Sequence, residues 1–381
     1  MKILAVGGGS GGHVTPVAAV VEQLAELEGD KSIDVLFVCD RGFAPQARGI
    51  MSNVSVPVAV RTVTSGKLRR YPHLSFWQHF AHISIVGSNL VDMFKVAIGF
   101  FQSLVLIAQF RPDVVLAKGG FVCLPVGFAA WCLRRPLVIH DSDARPGLTA
   151  RLLVRFATTI ATGFPLKNYT YPSAKSHYVG VPIDQAYSPV SAEEQAAYKQ
   201  ALGYDPTKPM LMAFGGGLGS VNINDAAADL ARALGDGVTV YNGTGTAHVE
   251  RAEQRGAGLM NYHPEGFVYG LHDIMAAADL VITRASATAL QELAGMSKPT
   301  IAVPGRQLAD QHYNAKIFGA ADAVVVLQDD ELATGDRLTT TVRELLDSPD
   351  RRDALAQSFH TFAKPDAALQ LAKLVIAAAK S

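Results

Sequence analysis

Gly7-Gly8-Gly9-Ser10-Gly11-Gly12-His13-Val14-Thr15-Pro16 is the stretch on which the reading of this chain turns. Lys2-Ile3-Leu4-Ala5-Val6 precedes it as a short apolar run of strand type. Val17, Ala18, Ala19, Val20, Val21, Leu24 and Leu27 follow at helical spacing, with Pro16 suited to a first helical turn. The spacing predicts strand, glycine turn and helix. Such a turn brings backbone N–H groups and the positive end of a helix dipole to an anion. The literal pattern Gly7-x-Gly9-x-x-Gly12 also fits a dinucleotide fingerprint, or a turn that only packs strand on helix. His13 and a second glycine loop downstream sharpen the phosphate reading.

The chain has 381 residues, long enough to predict two domains rather than one core. A hydrophobic content of 49% against 18% charged residues fits buried parallel strands. Lys plus Arg and Asp plus Glu both number 34, and this balance speaks against general nucleic-acid binding. Cys39, Cys123 and Cys132 lie in apolar surroundings without metal spacing and read as buried thiols. No signal peptide is expected, because the charged start runs into glycines.

Outward from the first loop, Ile33–Cys39 and Val54–Val60 read as strands, and Asp40 follows the first of them as a polar strand end or a ribose ligand. From Gly66 to Phe110 the pattern changes. Lys67, Arg69, Arg70, Phe76 and Trp77 form a basic-aromatic segment that suits either an anionic membrane surface or a solvated loop. Val96–Phe110 is too short to span a bilayer and predicts a buried helix. Asp113–Ala117 is a further strand entering the turn Lys118-Gly119-Gly120. Pro136–Ile139 is another, ending at His140-Asp141-Ser142-Asp143. Asp141-x-Asp143 also reads as an acidic metal pair, but offers too few oxygen ligands. Three unusual loops at three strand ends point at one crevice.

After a polar stretch from Asp184 the pattern restarts. Met210–Phe214 reads as a strand, Gly215–Ser220 as a second glycine turn, and Ile223 to Leu234 as the helix behind it. Later strands are expected at Val238–Tyr241, Leu280–Thr283, Thr300–Val303 and Ala323–Leu327. Thr283-Arg284-Ala285-Ser286 leads into a helix, with Ser286 as a possible N-cap and Arg284 as a diphosphate partner. Asp310 to Asn314 starts a helix, and Asp366–Ala379 is a final helix packing on either domain.

The ordered set Gly-Gly-x-Ser-Gly-Gly-His-Val-x-Pro, Lys-Gly-Gly-Phe-Val, His-x-x-x-Ala-x-Pro-Gly-Leu-Thr, Val-Gly-x-Pro, the second glycine loop, Arg-x-Ser-Ala with its Glu, and Gln-x-x-Asn-Ala resembles the MurG family of bacterial GlcNAc transferases from Met1 to about Leu345. The resemblance implies an α/β GT-B fold, two Rossmann-like doubly wound domains facing a cleft. Residues 1–183 would bind the acceptor and the membrane, 184–365 the UDP-sugar, and 366–381 would form a helix that returns to the first domain. It implies transfer of GlcNAc from UDP-GlcNAc to polyprenyl-diphosphate-linked MurNAc-peptide with inversion, at the cytoplasmic face of the membrane, with no metal and no other cofactor. Gly9, Ser10, Gly11, Gly12, Gly119 and Gly120 would border the acceptor diphosphate, and Ser10, Gly11 and Gly12 also the donor. His13 would be the base, with Asp143 as second choice and as a neighbour of the sugar. Gly217, Val268, Arg284, Ala287, Thr288, Ala289, Leu290, Gln291, Glu292 and Gln311 would hold the donor, Val268 on uracil and Glu292 on ribose.

Departures exist. Gly217-Leu218 replaces a Ser-Gln pair, Gly180-Val181-Pro182-Ile183-Asp184 lacks the family's arginine, and Asp141 and Asp143 replace Glu and Asn. A UDP-sugar epimerase of the same fold, another UDP-sugar transferase, a dinucleotide oxidoreductase and a binding-only protein are the competing readings.

Overall fold

The computed structural model describes residues 1–9, 11–29, 32–66, 83–333 and 335–380. The chain forms two compact units, Met1–Asp184 with Asp366–Ser381, and Gln185–Pro365.

The first unit is built on seven parallel strands: β1 (Lys2–Gly7), β2 (Asp34–Cys39), β3 (Val58–Thr62), β4 (Val114–Gly119), β5 (Leu137–Asp141), β6 (Thr159–Thr162) and β7 (Ser176–Tyr178). Their spatial order is β3-β2-β1-β4-β5-β6-β7, so the winding reverses between β1 and β4. Successive residues of a strand point to opposite faces, and here both faces are covered. Ile3, Ala5, Val35, Phe37, Val114 and Leu116 enter one core, while Leu4, Val6, Leu36, Val38, Val115 and Ala117 enter the other. The third strand runs four residues later than expected at its start, and Val54 only packs beside the core from a turn. An edge strand with one neighbour has weaker patterning, and apolar residues in the preceding turn imitate it.

The helix Ile83–Phe110 lays one stripe against the helix Cys123–Cys132 and the core beside it and leaves the other exposed. Ser103 and Ile107 are fully buried, and Val96, Phe100 and Leu104 pack beside the core. Leu90, Val91, Met93, Phe94, Ile98, Phe101 and Val105 are exposed, each by more than half. The expectation of a buried helix over 96–110 is therefore corrected: it is buried on one side only. Cys39 and Cys123 are buried, but Cys132, expected to be so, is exposed. The helix Ala367–Ala379 joins this unit, placing Ala368, Leu371, Ala372, Val375 and Ala378 in the core with Ile3, Val17 and Leu24.

The second unit repeats the plan with six parallel strands: β8 (Met210–Phe214), β9 (Thr239–Gly243), β10 (Tyr262–Glu265), β11 (Leu280–Thr283), β12 (Thr300–Ala302) and β13 (Val325–Val326). The order β10-β9-β8-β11-β12-β13 reverses between β8 and β11. Leu211, Ala213, Val240, Leu280, Ile282 and Ile301 form its core with Ile223, Ala227 and Leu230 of the helix Val221–Leu234.

Candidate active site

Open parallel sheets bind ligands beyond their carboxyl ends, where the winding reverses. In the first unit that place holds the loops after β1, β4 and β5. Gly7 leads into a short 3-10 turn at Gly11–His13, and the helix Thr15–Glu28 starts without a side-chain cap. Asp40, at the end of β2, braces this loop. Its carboxylate accepts from the Gly9 N–H at 2.9 Å and from the Phe43 N–H at 3.1 Å. The ribose reading of Asp40 is thereby corrected, because the carboxylate is spent on backbone donors.

The first two glycine loops pack backbone on backbone. Gly120 has φ +84°, and a Cβ there would lie 2.4 Å from the Gly8 carbonyl oxygen. A Cβ on Gly119 would lie 3.0 Å from Nδ1 of His13. That nitrogen is sealed from solvent and has no hydrogen-bond partner among the described residues. Burial, helped by the charge of Lys118, pushes the imidazole down to about 3, so it is neutral at pH 7.

Lys118, the last side chain before those glycines, is 1% exposed and donates to Ser142 Oγ. Burial pushes its ammonium down to about 8, against the pull of Asp143 and Asp141. His140 meets Gly180 O through Nε2 at 2.8 Å and Ser142 Oγ through Nδ1 at 3.4 Å. Asp141 is buried and pushed up to about 7, while the Tyr171 hydroxyl, donating at 2.6 Å, resists that rise. Asp143 is half-buried, and its carbonyl accepts from the Tyr169 hydroxyl at 2.7 Å. Gly9, Gly11, Gly12, His13, Gly119 and Gly120 thus share one end of the first sheet. Ser10 and the segment Lys67, Arg69, Arg70, Phe76, Trp77 lie outside the described residues.

In the second unit the loop after β8 closes on Ser220, which caps the helix Val221–Leu234. Gly219 has φ +76°, and a Cβ there would strike the Thr244 carbonyl at 1.8 Å. Gly217 is exposed, and a Cβ on it would meet nothing within 4 Å. The missing side chain at Gly217 is therefore not imposed by space.

Arg284 donates to Ser220 Oγ at 2.6 Å. It also lies 2.5 Å from Asp329, close enough for an ion pair but outside hydrogen-bond geometry. Both side chains are nearly buried, so Arg284 is not the free diphosphate partner that was expected. Ser286 occupies the N-cap position of the helix Ala287–Gly295, but its side chain caps nothing, which corrects that expectation. Ala287, Thr288, Ala289, Leu290, Gln291 and Glu292 are all buried in that helix. The Gln291 amide donates to Phe362 O at 3.0 Å, so it is directed into the fold rather than to a ligand. Gln311 is buried and accepts from Gly305 N–H at 2.9 Å, which fixes the loop after β12. Val268 is half-buried between exposed Phe267 and Tyr269.

Sequence reasoning missed Asp329 and the tyrosines Tyr169 and Tyr171, which no local pattern marks. Lys118 stood inside a quoted motif but carried no role. Among the described residues no cluster of three or more His, Cys, Asp or Glu is arranged to hold a metal.

Two Rossmann-like units, each with a glycine loop at its winding reversal, make up the GT-B fold. Residues 3–162 match the glycosyltransferase family 28 N-terminal domain and residues 210–371 the family's C-terminal domain. The chain belongs to glycosyltransferase family 28. It is 30% identical over 387 residues, spanning all of both chains, to the UDP-N-acetylglucosamine–N-acetylmuramyl-(pentapeptide) pyrophosphoryl-undecaprenol N-acetylglucosamine transferase of Halalkalibacterium halodurans. Among solved structures it resembles Acinetobacter baumannii MurG, with a TM-score of 0.67, 21% identity and 99% of each chain covered. It resembles a UDP-GlcNAc 2-epimerase from Neisseria meningitidis equally in fold, with a TM-score of 0.69, 13% identity, and 99% of this chain and 100% of that one covered.

Proposed function

We propose that the protein transfers N-acetylglucosamine from UDP-GlcNAc to the 4-hydroxyl of a MurNAc-peptide carried on a polyprenyl diphosphate. The observation that carries this reading is the family match over both units, together with His13 set against two backbone-lined glycine loops. An anion at those loops adds negative charge near the imidazole and raises its proton affinity. His13 then accepts the proton of the attacking hydroxyl. The oxygen bonds to the anomeric carbon as the bond to the UDP β-phosphate oxygen breaks, and UDP leaves with inversion. Asp143 is the alternative base.

The donor is assigned to the second unit, on the N–H groups at the start of the helix Ala287–Gly295 and in the loop after β8, with Glu292 toward the ribose and Val268 toward uracil. Those amides stabilise the departing diphosphate, each charged hydrogen bond contributing about 1.5–3 kcal/mol. The acceptor is assigned to the first unit.

The bare apolar stripe of the helix Ile83–Phe110 supports a further part of the reading: the first unit rests on the cytoplasmic face of an anionic membrane. In the most apolar 18-residue window of Asn89–Phe110, only 22% is buried. An exposed stripe of this kind suits the headgroup boundary of a bilayer, and Lys67, Arg69 and Arg70 would add attraction to anionic lipid.

The test supplies radiolabelled UDP-GlcNAc with the lipid-linked MurNAc-peptide and follows label into lipid. Label entering lipid only when both substrates are present is expected. Conversion of UDP-GlcNAc to its 2-epimer without acceptor would replace this reading with the epimerase. Co-sedimentation with phosphatidylglycerol vesicles tests the membrane part. Phe94→Glu with Phe101→Glu is expected to release the protein to the supernatant, and unchanged sedimentation would remove that part.

A further inference from the structure

Among the described residues, the first unit buries one lysine at its strand ends, and no role has been given to it. Lys118 is 1% exposed at the carboxyl end of β4. A buried ammonium is costly unless it has work to do or charges to meet. It donates a hydrogen bond to a neutral group, Ser142 Oγ, which lies on the loop after β5. From Ser142 a row of groups continues to His140 Nδ1, and from His140 Nε2 to Gly180 O.

A carbonyl can only accept, so His140 donates through Nε2, and its Nδ1 accepts from the Ser142 hydroxyl. Ser142 then has only lone pairs left for Lys118, which a protonated ammonium satisfies. The row is polarised in one direction, starting from a charged lysine. Lys118 is followed directly by Gly119 and Gly120, the residues that lie against His13 and Gly8.

Among the described residues, these charged and titratable groups face Lys118 and His13. Asp141, Asp143 and His140 come from the end of β5, and Cys123 from the helix Cys123–Cys132. Asp40 comes from the end of β2 and is held by the Gly9 N–H. Asp141 is in turn held by Tyr171, and Cys123 donates to Gly119 O at 2.9 Å. Lys118 is the cation of this set.

We propose that Lys118 is a positioning residue that serves the acceptor's diphosphate. Its ammonium pins the loop after β5 through Ser142, and it sets a fixed positive charge under the two glycine loops, beside His13. That charge stands in for the basic side chain which the stretch Gly180 to Asp184 lacks. It attracts a phosphorylated acceptor and adds to burial in keeping the imidazole a neutral proton acceptor until that anion arrives. This rests on the assignment of the acceptor to the first unit.

The test uses the full chain with histidines labelled in the ring, the His13 signal being assigned by its loss in His13→Asn. Raising the pH through about 8 removes the Lys118 proton, so the ring signals of His13 and His140 in the unaltered protein should both inflect there. In Lys118→Met, of similar volume, that shared inflection should vanish. Lys118→Arg should retain the charge and give no inflection below pH 9. Turnover supplies a second readout. Lys118→Met is expected to raise KM for the lipid-linked diphosphate about tenfold or more while KM for UDP-GlcNAc stays put, and Lys118→Arg should recover most of the loss. Ser142→Ala, which keeps the charge and removes the anchor, covers the case in which Lys118→Met does not fold. It should shrink the response of His140, which then feels the charge only through space, while that of His13 is unchanged.

A folded Lys118→Met protein with the inflection near pH 8 intact, or Ser142→Ala with the His140 response undiminished, would overturn the proposal. An inflection that vanishes in a protein with no transferase activity would leave the role of Lys118 standing and remove the acceptor assignment instead.

Discussion

The two glycine loops occupy the same place in their sheets but are built differently. The first is closed: Gly120 meets Gly8 backbone to backbone, Asp40 ties Gly9, and the walls are titratable groups. The second is open at Gly217, takes a hydroxyl cap from Ser220, and is backed by the ion pair of Arg284 with Asp329. Titratable groups held away from their ordinary proton affinities suit a place where a proton moves. Hydroxyls and a locked ion pair suit a place where an anion is held. On the proposed function, one architecture used twice puts the proton transfer on the first loop and the donor diphosphate on the second.

The largest effect that could break this contrast is on turnover. His13→Ala should lower kcat about 10²–10⁴-fold, with UDP binding by calorimetry unchanged. If the two fell together, the first loop would be a binding loop like the second.

Next comes steric tolerance. Gly120→Ala should lose most folded first unit, because φ is +84° and the added carbon meets a carbonyl at 2.4 Å. Gly217→Ala should shift the melting temperature little, and Gly217→Ser should tighten UDP binding several-fold.

Arg284→Met should destabilise the second unit by about 3–5 kcal/mol, since it leaves Asp329 buried without its cation. Denaturant unfolding followed separately in the two units should show the loss in the second alone.

The smallest expected effect is in pH. His13 is held below its unfolded value of 6.5, so its contribution to stability is complete above 6.5 and is lost as pH falls toward about 3. Asp141, raised to about 7, works the other way in this window but does so equally in both proteins compared. The unaltered protein should therefore lose more melting temperature between pH 6.5 and 4.5 than His13→Asn does. Equal losses would mean that His13 is not buried neutral.

Much of the sheet was legible in the sequence because a strand covered on both faces is an unbroken apolar run. Met210–Phe214 and Leu280–Thr283 read off to the residue for that reason. Edge and half-covered elements read poorly. The third strand slipped, and Val96–Phe110 was expected to be a buried helix although Ile98, Phe101 and Val105 are exposed. The glycines and His13 were visible from spacing. The state of Lys118 was not, because burial is set by loops that come from three strands. The commitment of Arg284 was not either, since Asp329 lies 45 residues further on. Local pattern names which side chains a strand end carries, but only packing decides whether they are already taken.

The helix Ala367–Ala379 has one more consequence, for how the protein is made. It supplies Leu371, Ala372 and Val375 to a core whose other members begin at Ile3, and Lys380 reaches Glu28 at 3.2 Å. A ribosome delivers residues at about 5–20 per second, so the strand translated first waits many seconds for the helix that covers it. The later half of the chain, whose residues are contiguous, is complete before then. Nascent chains stalled just short of residue 367 should accordingly resist protease across 185–365 while the opening sheet is still open to chaperone.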